Sequence, residues 1–187
     1  MTTAAPARPI LALDPATKTG WAHSDGTSGS WALAARAGDH DGQPHLRLAN
    51  LVAGIIKTKG CGLLAFESSP FVGTDRTAAT LSKGSEFRGV LLLVAARLEV
   101  AVLTVNPMTL KAWATGSGLA NKEQMRASYR RFYDVDVTDP DECDALWVWR
   151  FAEHYLERGA PDLTPRKKPR ARRSSSRSRQ LLDHKTP

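Results

Sequence analysis

Short apolar runs alternate with amphipathic stretches along most of this chain. Pro9–Asp14 (PILALD) is a brief apolar run ending on an acid at a Pro turn, which predicts a buried strand. Gly20–His23 and Ser30–Ala34 are two more short strands, separated by the turn signal DGTSG, so an antiparallel meander is expected to open the fold. Residues 46–56 change to helical spacing, with Leu48, Leu51, Val52, Ile55 and Ile56 on one face and Gly60 and Gly62 punctuating the end. Leu63–Glu67 (LLAFE) reads as another buried strand and Ala101–Val105 as a fifth. Between them, about Thr77–Leu98 predicts a long helix, apolar on more than one face through Val90, Leu91, Leu92, Leu93 and Val94.

Three helical pieces close the pattern. Met108–Ala114 is short and stops at GSG. Asn121 is an N-cap signal with Gln124 three residues on, and Met125, Tyr129 and Phe132 are expected on the inner face of the helix that follows. Asp139, Pro140, Asp141 and Glu142 read as N-cap, N1, N2 and N3 of a last helix running to about Arg158. The fold class is therefore α/β, a mixed five-stranded sheet flanked by helices on both faces.

At 187 residues the chain has room for one ordinary domain and a tail. The expected division is a flexible N-terminus over 1–8, the folded domain over 9–160 and a basic disordered tail over 161–187. The overall charge of +7 is unevenly placed: residues 164–187 hold nine Lys/Arg and one acid, so the rest is nearly neutral. That tail (PRKKPRARRSSSRSR) has too few apolar residues to order itself, and its charge density suits a polyanion. Arg166, Lys167, Lys168, Arg170, Arg172 and Arg173 are its candidate phosphate contacts. No apolar run is long enough to span a membrane and the N-terminus lacks a signal-peptide pattern, so a cytoplasmic address is expected. Two cysteines, Cys61 and Cys143, exclude a disulfide framework and a four-thiolate zinc site.

The candidate chemistry lies in four acids. Asp14 and Glu67 end the two most apolar strands, and Asp141 and Asp144 share a face in the first turn of the last helix. Macrodipole compensation accounts for Asp141 but poorly for Asp144, which opens the apolar run ALWVW. Four carboxylates brought together need a counter-charge, and hard divalent cations supply it. Two such ions serve an in-line phosphodiester displacement, so Asp14, Glu67, Asp141 and Asp144 predict a nuclease using two Mg2+ per site, with Mn2+ as a substitute. Cys143, a thiol among acids, is expected to have a raised pKa and to be inert. No histidine has ligand spacing.

An Asp-Pro strand end with a following Thr-Gly (LDPATKTGWA), a strand ending in Glu, and D-x-x-D-A-L opening the last helix resemble the RuvC family of Holliday-junction resolvases. LSKGSEFRGVLLLVAA is similar to the family's helix carrying K-x-G-x-x-R-G, and PMTLKAWATGSGLANKEQM to its P-x-x-V-K-x-x-x-x-G-x-G-x-A-x-K-x-Q-V region. The resemblance covers about Ile10 to Tyr155 in the right order. It implies a ribonuclease-H-like fold, a homodimer, and cleavage of four-way junction DNA as used in recombination and repair. It also implies metal binding by Asp14, Glu67, Asp141 and Asp144, with Lys111 and Lys122 near the DNA backbone and Lys83 and Arg88 contacting DNA. Phe71 stands near the family's base-stacking aromatic, four residues past Glu67 instead of three, and Ala16 stands where many relatives have Gly.

Rival readings on the same fold are a flap or branched-DNA nuclease and a transposase-like enzyme. From other classes come an actin/sugar-kinase-like phosphotransferase, for whose duplicated domain the chain is too short, and a non-cleaving DNA-binding protein, which would have no use for four acids. Ala- and Arg-rich composition suggests a bacterial or phage source.

Overall fold

The computed structural model describes residues 8–68 and 78–159, with side chains from 84 onward in the second stretch. Five strands form one mixed sheet: β1 (Ile10–Asp14), β2 (Lys18–His23), β3 (Ser28–Ala32), β4 (Leu63–Glu67) and β5 (Ala101–Val105), in the order β3-β2-β1-β4-β5. The β1–β2–β3 part is the antiparallel meander, and β4 and β5 join parallel to β1. Five helices complete the element order: α1 (Gln43–Lys59), α2 (Ala78–Arg97), α3 (Pro107–Thr115), α4 (Lys122–Tyr133) and α5 (Pro140–Arg158).

Strand alternation divides the core in two. Ile10 and Ala12 of β1 and Leu63 and Ala65 of β4 join a cluster with α3, α4 and α5, whereas Leu11, Leu13, Leu64 and Phe66 join one with α1 and α2. Both faces of these central strands are thus covered, which is why they read as nearly continuous apolar runs. The residues under α5 are small: Ala12, Ala22 and Ala65 are fully buried in its cluster. Small side chains let the helix come close to the sheet, and Gly20 takes this to its limit. A Cβ on Gly20 would lie 1.8 Å from the Asp141 carbonyl oxygen, so only glycine permits this seating.

Local signals place the helix ends. Gly60, at φ 66°, closes α1 by donating its N–H to the Ile56 carbonyl. Asn121 and Gln124 form a reciprocal capping box on α4, each side chain accepting the other's backbone N–H at 2.9 Å. Asp139 caps α5, its Oδ1 accepting the Asp141 N–H at 3.0 Å, with Pro140 in the first turn.

Three expectations shift. The β2–β3 turn is tighter than DGTSG implies, because Asp25 Oδ1 accepts both the N–H and the hydroxyl of Thr27 while Gly26 sits at φ 93°. Strand β3 therefore begins at Ser28 and ends at Ala32, two residues earlier at each end than expected. Helix α1 extends three residues beyond each end of the predicted 46–56 span. Phe132 is 65% exposed instead of inward, although its ring still meets Trp147 edge-on. Trp147 is the buried hub of the α4–α5 contact, flanked edge-on by Tyr129 and Trp113, and Trp149 and Phe151 are buried too.

Candidate metal centre

Asp14 ends β1 next to the end of β4, and α5 crosses the same sheet face with its first turn above Gly20. Carboxylate oxygens of Asp14, Asp141 and Asp144 come within 4.8 Å of one another. All three are partly buried. Glu67 ends the neighbouring strand β4 but lies outside that group of three. Its carbonyl oxygen accepts a 2.8 Å hydrogen bond from Arg88 Nε of α2, so Arg88 ties the end of β4 to that helix.

Two lysines face the carboxylates. Lys122 Nζ donates to Asp141 Oδ1 at 2.6 Å and lies 3.9 Å from Asp144 Oδ2. Burial works against the Lys122 charge, but the bond to Asp141 and the field of Asp144, Asp141 and Asp14 outweigh it and raise its pKa. Lys18 Nζ is 2.8 Å from Asp139 Oδ2 and 3.7 Å from Asp141 Oδ2. Its pKa is raised, chiefly by the bond to Asp139. Burial alone would raise Asp139, yet Lys18, Ser30 and the Asp141 N–H hold it at about 2. Asp144 goes the other way: burial, then the charges of Asp14 and Asp141, push it up to about 7 against the pull of Lys122 and Lys111.

An acid in such surroundings keeps its proton or acquires a cation. The donor set suits a hard divalent ion, since it is all carboxylate oxygen. The nearest soft ligand, Cys143, is fully buried with its thiol pushed up to about 12, first by burial and then by Asp144, so it stays protonated as expected. Lys111 on α3 is close enough to lower the Asp144 pKa. Phe71 and the tail residues Arg166, Lys167, Lys168, Arg170, Arg172 and Arg173 lie outside the described residues, as does the side chain of Lys83.

Sequence reading passed over Lys18, Ser28, Ser30 and Asp139 as site residues. Their signal is a register: β1, β2 and β3 pair Asp14 with Gly20 and Gly20 with Ser30, then Ala12 with Ala22 and Ala22 with Ser28. Two rows of small residues side by side mark a sheet face on which something packs closely. Only the pairing makes those rows visible.

Fold and site together define an α/β domain of the ribonuclease-H-like class, with an acidic centre where the central strand meets the last helix. No family model matches the chain. In sequence it is 36% identical over 75 residues to the crossover junction endodeoxyribonuclease RuvC of Prochlorococcus marinus, covering 38% of this chain and 46% of the relative. It is 30% identical over 99 residues to that of Natranaerobius thermophilus, covering 52% and 60%. The chain thus aligns with about half the length of the curated relatives it matches. In structure it is similar to Thermus thermophilus RuvC, with a TM-score of 0.63, 20% identity, and coverage of 81% of this chain and 97% of that one. The same RuvC in complex with Holliday junction substrate gives a TM-score of 0.63 at 18% identity, covering 75% and 90%. The chain is thus similar to RuvC proteins over part of its sequence and carries the RuvC fold.

Proposed function

We propose that this protein is a structure-selective endodeoxyribonuclease that cuts four-way DNA junctions, with Asp14, Glu67, Asp141 and Asp144 serving a pair of Mg2+ ions. The observation that carries the reading is the convergence of Asp14, Asp141 and Asp144 from two separate elements, on a RuvC fold. When bound, divalent ions supply Lewis acidity to the scissile phosphate and to the attacking water.

The chain's own groups do the rest. Asp14, fixed by its strand, and Asp141 and Asp144, fixed by a capped helix, form a rigid acidic face that needs little rearrangement to accept cations. Asp144, whose carboxyl otherwise keeps its proton to about pH 7, would hold such an ion as a carboxylate. Lys122, bonded to Asp141 at the edge of the group, stands where it would meet a phosphate oxygen, and Lys111 would add positive potential behind it. Arg88, Lys83 and the basic tail are assigned to the DNA backbone, and Phe71 to a base unpaired at the crossover.

We also assign a homodimer, which would bring two such sites to two strands. Leu92 and Leu93 on α2 are 50% and 53% exposed, an apolar ridge that a second copy would cover. Among the described residues no helix is long and apolar enough to cross a membrane. The test is incubation of the purified protein with labelled four-way junction, linear duplex and flap DNA, with and without Mg2+. Paired nicks in the junction only, dependent on the ion, are expected. Equal cutting of all three substrates would overturn the selectivity.

A further inference from the structure

The N-terminus of α5 is held by more than its own cap. Asp139 Oδ1 is occupied by the Asp141 N–H, while Oδ2 receives both Lys18 Nζ at 2.8 Å and the Ser30 hydroxyl at 2.7 Å. One turn position further along, Glu142 Oε1 accepts the Ser28 hydroxyl at 2.6 Å. Lys18, Ser28 and Ser30 all belong to the β2–β3 hairpin and, by register, share the sheet face that carries Asp14. Gly20, between them, admits the Asp141 carbonyl to the sheet at a distance no side chain would tolerate.

We propose that the β2–β3 hairpin is a positioning clamp for the metal centre: Lys18 and Ser30 acting on Asp139, and Ser28 acting on Glu142, set where Asp141 and Asp144 stand relative to Asp14. This rests on the nuclease reading above. None of the three residues needs to touch DNA or a metal ion; each acts through the first turn of α5. The need for such a clamp is electrostatic. Asp139, Asp141, Glu142 and Asp144 crowd one helix start while Asp14 faces it from the sheet, and like charges push the helix away. The two neutral hydroxyls oppose that repulsion by bonding Asp139 and Glu142, outside the group of three carboxylates, and Lys18, bonded to Asp139, also stands 3.7 Å from Asp141 Oδ2. Lys18 supplies charge at the outer edge of the cluster, which leaves Lys122, on the other oxygen of Asp141, available for phosphate. The side chain of Lys18 is 52% exposed, so the directional part of the hold belongs to the two serines.

The test uses the full chain with Ser28→Ala and Ser30→Ala combined, because losing two hydroxyls changes no charge near the metal centre. Binding of Mn2+ to the DNA-free protein, followed by the free-ion electron paramagnetic resonance signal, is expected to weaken roughly tenfold, the equivalent of about 1.4 kcal/mol. Junction cleavage is expected to lose kcat by a similar factor while KM for the junction stays within about twofold, and Ser30→Thr on its own is expected to keep both near wild type. Amide exchange over residues 143–146 should quicken with little change elsewhere. Wild-type Mn2+ affinity, kcat and exchange in the double variant would overturn the clamp. A raised KM with unchanged kcat would overturn it too, by making the serines DNA contacts. Should the wild type neither bind Mn2+ nor cut a junction, the nuclease reading falls, and the exchange measurement alone still decides whether the hairpin holds α5.

Discussion

Asp144 is the residue on which the electrostatics of the site turn. Its folded pKa of about 7 stands above the ordinary 3.8 of an aspartate, so the uncharged acid is the form that folding favours. Stability from such a group is fully present below about pH 4 and is lost as pH rises through about 7. In EDTA, the contribution of Asp144 is therefore expected to lower the melting temperature of the wild type between about pH 4 and about pH 7 and to level off above that, and Asp144→Asn to flatten that slope and melt higher at pH 8. An unchanged slope in the variant would remove Asp144 as its source. Gly20 makes a steric prediction at the same scale. Gly20→Ala drives a methyl group into the Asp141 backbone, and such overpacking costs about 1–3 kcal/mol, or roughly 2–12 °C in melting temperature for a domain of this size. Since the strain falls on the α5 first turn, activity should drop further than stability alone accounts for. A variant with wild-type stability and cleavage would mean the helix start can move without consequence.

Helices and strands were legible in proportion to how local their signals are. Asn121 with Gln124, and Asp139 with Pro140, announce α4 and α5 because capping is a contact between near neighbours. The β2–β3 turn was read too long because Asp25 closes it with its own side chain, a bond that a count of Gly and Ser does not register. Phe132 fits the inner spacing of α4 yet lies outward, since Met125 and Tyr129 already fill the space against α5. Asp14 was legible because an acid ending an apolar run demands a reason, Asp144 because it opens one, and Asp141 because it lies three residues before Asp144 on the same helix face. The hairpin residues that face them were not, because a lysine and two serines acquire meaning only through strand pairing. Helix α2 carries the element-scale prediction. Leu91 is buried against α1 while Leu92 and Leu93 face outward, so Leu92→Glu with Leu93→Glu should leave the fold intact and convert a dimer to a monomer in light scattering. A mass that does not change would place the dimer contact elsewhere or remove it.

For the whole molecule the charge is divided along the sequence. A nearly neutral domain carries an acidic centre, and the basic excess is concentrated in residues 164–187. Removing that segment is expected to weaken binding to every DNA and to flatten the dependence of affinity on salt, since fewer counterions are released, while cleavage positions stay the same. An identical salt slope in the shortened chain would exclude the tail from phosphate contact. The central claim is that three aspartates from β1 and α5 form one metal-dependent centre for junction cleavage. The most direct measurement is single-turnover cleavage of a labelled four-way junction in Mg2+ by the wild type, Asp14→Asn and Asp144→Asn, with junction binding measured in Ca2+. Paired strand cuts by the wild type, at least about a thousandfold loss in each variant, and junction affinity equal to or better than wild type are the predicted result. Cutting by either variant at near wild-type rate, or undiminished cutting by the wild type in EDTA, would contradict it.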